Sequence, residues 1–370
     1  MLNFKKYDLK RYNISLLVVV TTLIAIGVFL IKQVRPEDYK KQLIGLMGGL
    51  FIAVIVSFID YHFVCQFYIV LYIINLVLLV MVKVNGIEYH NARRWLDLRF
   101  FELQPSELTK IIIILFFAKL FTMFEHRINN ILFLLISLVL MGIPTYLILT
   151  QTDLSTSIVL MTIFAVLVFT AGLSWKIIIP IIVVGVPAMI GLFWYIQQDY
   201  QVLLSPNQQQ RVLSILHPEE YPGTMYQQEN SIQAIGSGQL VGKFFSDDAS
   251  GIRGYNHVPV SESDFIFSVA GEEFGFIGCV IILLLFGFII FHCLSTAAKA
   301  PDKMGTLIAS GIGAMFAFQT FINIGVVTSI LPNTGIPLPF LSQGLSSLIS
   351  SMIAIGIILN IRLQPKKQTR

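Results

Sequence analysis

Long apolar runs of about 17 to 25 residues return along this chain from end to end, each long enough to cross a hydrocarbon layer of roughly 30 Å as a helix. Hydrocarbon offers no hydrogen bonds, so such runs must satisfy their own backbone polar groups. Ten runs qualify, near 13–31, 43–59, 64–82, 108–123, 130–149, 155–171, 176–195, 265–293, 304–329 and 344–361. The expected fold is an all-α polytopic membrane protein of about ten transmembrane helices, one membrane domain over residues 1–370, with a large extracytoplasmic loop at about 196–264 between the seventh and eighth. Only 12% of the 370 residues are charged, against roughly a quarter in soluble domains. The net charge of +4 is thinly spread and excludes nucleic acid as a partner class.

Cys65, Cys279 and Cys293 fall in or beside apolar runs, far apart and without metal-ligand spacing, which suggests neither a disulfide framework nor a zinc site. Lys5, Lys6, Lys10 and Arg11 precede the first run, which is too long for a signal peptide and lacks a small-residue cleavage site, so it reads as a first span. Arg362, Lys366, Lys367 and Arg370 close the chain, and short loops with Arg127, Lys176, Lys299 and Lys303 fall on the same side. The positive-inside rule then places both termini in the cytoplasm. The opposite, outer side receives 83–107, 196–264 and 330–343, although Lys32, Arg35, Lys40, Lys41, Arg93, Arg94 and Arg99 also lie there, so the tails carry the assignment.

The outer segments hold the residues suited to chemistry. Asp264 ends the long loop just before an apolar run, where a carboxylate at a low-dielectric boundary has a raised pKa and can serve as a general base; a helix N-cap is the competing reading. Glu272 and Glu273 lie about 12 Å further along that helix and need a cavity or a cationic partner. Arg93, Arg94 and Trp95 combine two guanidinium groups with an interfacial indole, a set suited to lipid phosphate or pyrophosphate and equally to headgroup anchoring. In Gln104-Pro105-Ser106-Glu107-Leu108-Thr109-Lys110 the proline opens a helix and the i, i+3 spacing puts Glu107 and Lys110 on one face, as a structural pair or as substrate contacts. Three prolines and a glycine between Leu331 and Phe340 forbid a regular helix, so that stretch is expected as a re-entrant or extended loop beside a polar cavity.

Five segments in order, ARRWL at 92–96, QPSELTK at 104–110, QAIGSG at 233–238, SDFIFSVAGEEFGFIG at 263–278 and NIGVVTSILPNTGIPLPFLSQG at 323–344, resemble the SEDS family (shape, elongation, division and sporulation) of bacterial peptidoglycan polymerases. Ile336-Pro337-Leu338-Pro339 is more similar to its RodA branch. The resemblance implies transfer of a disaccharide-peptide from undecaprenyl pyrophosphate, in lipid II, to a growing glycan. It makes Asp264 the catalytic aspartate, Glu107 and Lys110 a regulatory acid–lysine pair, and a class B penicillin-binding protein the partner. Gln104, Ser106, Glu272, Glu273, Asn323, Thr334, Pro337 and Ser342 are the expected cavity-lining residues. Where the family often shows HTDF, SYGGS, GSGGL and QPDLGTS, this chain has Ser261-Glu262-Ser263-Asp264, Ser342-Gln343-Gly344-Leu345-Ser346, Gly236-Ser237-Gly238-Gln239-Leu240 and Gln151-Thr152-Asp153-Leu154-Ser155-Thr156-Ser157.

The expected mechanism has Asp264 deprotonate the acceptor sugar's 4-hydroxyl for inverting attack on the anomeric carbon. Arg93, Arg94, Trp95 and Lys110 would meet the lipid pyrophosphate, and no cofactor is required, with a divalent cation left open. Two other classes fit the same residues. Glu272, Glu273 and Lys119 within spans would suit a lipid II flippase or transporter, and the motif departures would suit a catalytically silent scaffold for a transpeptidase.

Overall fold

The computed structural model describes residues 7–89, 92–97, 102–198, 200–204, 206–246 and 253–364. His90, Asn91, Arg99, Asp247, Asp248 and the basic tail residues Lys5, Lys6, Lys366, Lys367 and Arg370 lie outside them. Thirteen helices and three short strands follow in order: α1 Ile14–Val34, α2 Tyr39–Ser57, α3 Tyr61–Gln66, α4 Tyr68–Asn85, β1 Ile87–Tyr89, β2 Ala92–Asp97, β3 Glu102–Leu103, α5 Pro105–Met123, α6 Ile131–Thr150, α7 Leu154–Ala171, α8 Trp175–Ile196, α9 Pro206–Leu216, α10 Pro222–Ser237, α11 Ile266–Lys299, α12 Lys303–Val327 and α13 Leu345–Leu363. Among the described residues nine helices are long and apolar enough to cross a membrane: α1, α2, α4, α6, α7, α8, α11, α12 and α13. The tenth expected span, 108–123, coincides with α5, whose Glu107, Lys110 and Lys119 set it apart from the other nine.

Polar residues bracket the apolar runs because each helix start leaves backbone N–H groups unpaired. Asn13, Asn130, Asp153, Ser174 and Asp302 each accept such a bond from the helix they open. The core lies where α5, α7, α12 and α13 meet, while every side chain of α8 is at least partly exposed. On α2 the small residues Gly45, Gly49 and Ala53 recur every four positions and let α13 approach. A Cβ at Gly45 would stand 2.6 Å from Leu345, and one at Gly49 2.9 Å from Met352.

The polar loops carry regular structure of their own. Strand β2 pairs antiparallel with both β1 and β3, giving a small sheet that the expectation of an all-helical protein did not include. The long loop carries α9 and α10. Helix α11 breaks at Gly275, where φ is +64° and ψ −164°. The donors freed there are taken by the loop, with Phe276 N bonding Gln239 O at 2.9 Å and Ile277 N bonding Leu240 O at 3.1 Å. A polar break inside a span is thus paired within the protein, as hydrocarbon demands.

At the opposite end of the bundle, His62 joins three elements. Its Nδ1 lies 2.8 Å from Asp60 Oδ1 and its Nε2 2.5 Å from Asp302 Oδ2, while Tyr61 donates to Asp302 and Gln364 to Asp60. The hydrogen bond to Asp302, with Asp60 adding to it, raises the imidazole pKa against the effect of burial. A raised folded-state pKa contributes stability that is complete below the unfolded value of about 6.5 and is lost as pH rises through the folded value. The melting temperature of the solubilised protein should therefore fall as pH rises above about 6.5, and this slope should flatten in His62→Gln.

Candidate active site

The turn before α11 and the loop after α12 meet at Asp264. Three successive carbonyls of that turn are held in place. Glu262 O accepts from Gln343 N at 2.9 Å, Ser263 O from Ser342 Oγ at 2.6 Å, and Asp264 O from Asn323 Nδ2 at 2.7 Å. Asn323 also donates to Ile336 O at 2.7 Å, so one α12 side chain fixes both loops. Ser342 Oγ in turn accepts from Leu338 N at 2.8 Å. Pinned in this way, the Asp264 side chain is half-buried on the wall of a cavity of about 780 Å³.

The N-cap reading of Asp264 does not hold. Helix α11 begins at Ile266, its cap residue is Phe265, and no side chain caps it. The carboxylate instead accepts from Ser263 Oγ at 3.0 Å. Burial raises its pKa; the Ser263 hydrogen bond and the charges of Arg94 and Arg211 oppose the rise, and Asp153 reinforces it. A carboxyl so placed accepts protons more readily than an ordinary aspartate, which suits a general base. Gly335, at φ +70°, keeps the approach open, since a Cβ there would stand 3.2 Å from Asp264 Oδ2.

Two arginines from different elements share the cavity wall with the carboxylate. Arg94 comes from β2 and donates to Thr152 O at 2.7 Å; Arg211 comes from α9 and reaches Asn333 O at 3.4 Å. Both line the cavity, with Trp95, Gln104, Thr334 and Pro337. Thr334 also leaves a buried hydroxyl without a partner. Farther along the wall stand Asp38 just before α2, Lys41 from α2, Asp97 and Glu102 from the sheet, and Ser346 and Ser347 from α13.

The other expected site residues lie elsewhere. Arg93 is exposed and off the cavity wall. Asn323 and Ser342 act from beneath the loops, through the backbone. Ser106 is buried, its hydroxyl unpartnered. Glu107 and Lys110 form a buried ion pair at 2.7 Å, and neither lines the cavity, so Lys110 stands apart from the Arg94 and Arg211 side chains that do. Glu272 binds Lys243 and accepts from the backbone of Gly254 and Tyr255 at 2.8 Å each, while Glu273 binds Arg253 at 2.8 Å. These two acids found cationic partners rather than a cavity, and they clasp the long loop onto α11.

Several departures from the family pattern have local partners. Ser263 supplies a hydroxyl to Asp264, and Glu262 binds Arg35 at 2.9 Å. Asp153 caps α7 through Thr156, and Ser155 Oγ donates to Thr334 O at 2.6 Å, bracing the cavity loop. Arg211 escaped the sequence reading. The available signal was its isolation: of the three basic residues between 196 and 264, the other two, Lys243 and Arg253, neutralise the clasp acids. Among the described residues no group of three or more His, Cys, Asp or Glu side chains is placed to hold a metal ion.

Residues 9–367 match the family model FTSW_RODA_SPOVE, described as "Cell cycle protein". The chain is 34% identical to the peptidoglycan glycosyltransferase MrdB of Escherichia coli, covering 97% of this chain and 96% of that one. It is 32% identical to the probable peptidoglycan glycosyltransferase FtsW of Trichlorobacter lovleyi, covering 96% and 94%, and 32% identical to stage V sporulation protein E of Bacillus subtilis, covering 95% and 98%. A solved structure described as "Structural coordination of polymerization and crosslinking by a peptidoglycan synthase complex" superposes with a TM-score of 0.78 at 28% identity, covering 95% of this chain and 97% of that one. The rod shape determining protein RodA of Thermus thermophilus gives 0.70 at 27%, covering 95% and 96%. On this agreement of sequence and fold, the chain belongs to the FtsW, RodA and SpoVE family of multi-pass membrane proteins, the SEDS family.

Proposed function

We propose that this chain is a peptidoglycan glycosyltransferase that polymerises lipid II into glycan strands for cell-wall synthesis. The carrying observation is Asp264, a carboxyl of raised pKa held on the wall of a cavity that two guanidinium groups also line. One group takes a proton while two others face developing negative charge, the division of labour that displacement of a pyrophosphate requires. Relatives of nearly full coverage bear glycosyltransferase names, which supports the same reading.

In the proposed step the acceptor 4-hydroxyl gives its proton to Asp264, its oxygen bonds to the anomeric carbon, and the bond from that carbon to the pyrophosphate oxygen breaks with inversion. Undecaprenyl pyrophosphate departs, its charge met by Arg94 and Arg211. Both termini lie in the cytoplasm in this reading, and the cavity faces outward, where glycan is assembled. A class B penicillin-binding protein would cross-link the product. The transporter reading has lost its main motive, since Glu272 and Glu273 are consumed by the loop clasp.

The test is incubation of the purified protein with lipid II, with and without a cognate transpeptidase, and electrophoretic detection of glycan strands. Strands are expected; scrambling of lipid II in proteoliposomes without strands would favour transport, and partner binding without strands a scaffold. Arg94→Gln and Arg211→Gln should each lower kcat/KM by about 10²-fold, the scale of removing one donor from a developing anion. Asn323→Ala should lower the melting temperature and lower kcat by up to about 10²-fold, because the carbonyls of Asp264 and Ile336 lose their donor and the carboxylate shifts.

A further inference from the structure

A second concavity, of about 450 Å³, lies away from the active-site cavity and shares no residue with it. Its floor is one face of α1, Thr21, Thr22, Ala25, Ile26 and Phe29; Phe244 and Phe274 form its wall. The two threonine hydroxyls are already used, bonding Leu17 O at 2.7 Å and Val18 O at 2.9 Å, so the floor asks nothing of a ligand but apolar contact. Phe29, Phe244, Phe245 and Phe274 cluster around it with ring centroids 5.0 to 6.4 Å apart, and Phe245 stays exposed. The loop segment that carries Phe244 is the one inserted at the Gly275 break of α11, which brings it to the depth of the spans.

The groove has a charged end. Lys32 follows Phe29 by three residues, on the α1 face that also carries Thr21 and Ala25, and it is exposed, its ammonium 5.6 Å from the Tyr39 ring centre. An apolar trough opening sideways from a membrane helix, with a cation where that helix leaves the hydrocarbon, has the polarity of an anionic phospholipid. Helices pack in bilayers through small residues that let backbones approach, whereas this trough is walled by phenyl rings, which suits a thin flexible chain better than a partner helix.

We propose that the α1–α11 groove is a binding site for one anionic phospholipid of the leaflet on the cavity side, its acyl chain along Thr22, Ala25 and Phe29 and its phosphate at Lys32. This lipid holds the inserted loop segment against α1. The site is independent of the catalytic reading.

The test uses full-length protein in nanodiscs of mixed phosphatidylglycerol and phosphatidylcholine, extracted into mild detergent and weighed by native mass spectrometry. The wild-type protein should retain one phosphatidylglycerol in preference to phosphatidylcholine. Thr22→Trp and Ala25→Trp, at exposed positions that leave the core untouched, should lose it, while Val184→Trp on the exposed α8 should keep it. Lys32→Gln should cut the preference about fivefold, the worth of one cation near a lipid surface. Equal retention of both lipids, or retention unchanged in both tryptophan variants, overturns the proposal, as does cross-linking of Ala25→Cys to a partner helix but not to lipid.

Discussion

Replacing Asp264 by asparagine is expected to abolish glycan polymerisation, with a loss of at least about 10²- to 10⁴-fold, the usual contribution of a positioned general base. The amide keeps the size of the carboxyl and can keep the contact with Ser263 Oγ, while the three carbonyls around it stay bound, so the protein should fold and melt as before. The loss should fall on kcat, because lipid II would still meet Arg94 and Arg211. In the proposed mechanism Asp264 must be ionised to act as the base, and burial raises its pKa. The acid limb of the rate profile should therefore lie above the ordinary aspartate value of about 3.9, with activity falling as pH drops through the raised value. Strands formed by Asp264→Asn at near the normal rate would remove this side chain from the mechanism.

Breaking the Glu107–Lys110 pair should produce a large loss of stability. Both side chains are about 3% exposed and 2.7 Å apart at the start of α5. Removing either partner leaves a charge stranded in a medium that solvates it poorly, at a cost of about 3–5 kcal/mol. Lys110→Ala or Glu107→Ala should melt many degrees lower or fail to accumulate, as read by thermal unfolding in detergent. The neutral double variant Glu107→Gln with Lys110→Met should recover most of the loss, because no charge remains uncompensated. Full stability in either single variant would mean that the pair is wet, and would return Lys110 to the group of substrate contacts.

Loop and bundle act on the same residue from two directions. From the bundle, Asn323 and Ser342 set the backbone of Asp264. From the loops, Arg94 and Arg211 set its electrostatic surroundings, while Glu272 and Glu273 clasp the segment that includes Tyr255 onto α11. The residues that touch the reacting atoms in the proposed mechanism are thus few, and most polar side chains nearby spend their hydrogen bonds on holding backbone. Buried main-chain groups must be paired, so fixing a loop at membrane depth consumes much of the polar inventory.

Periodicity and length alone determined where the helices run. Apolar runs in a solvent without hydrogen bonds have one backbone solution, and a helix lies over each of the ten expected spans, whereas α9 and α10 of the long loop had no such run to announce them. The proline-rich stretch after α12 was likewise legible as non-helical, because proline removes the donor a helix needs. Asp264 stood out for its place between a polar loop and an apolar run. What tertiary structure decided was the company each polar residue keeps. Arg211, more than fifty residues upstream of Asp264 in sequence, reaches the same cavity, while Glu272 and Glu273, only a few positions downstream, do not. The sheet that presents Arg94 depends on pairings too short to leave a pattern in the sequence. Local periodicity follows from how one segment meets its solvent, whereas the partner of a charge depends on which segments of the folded chain come to lie beside it.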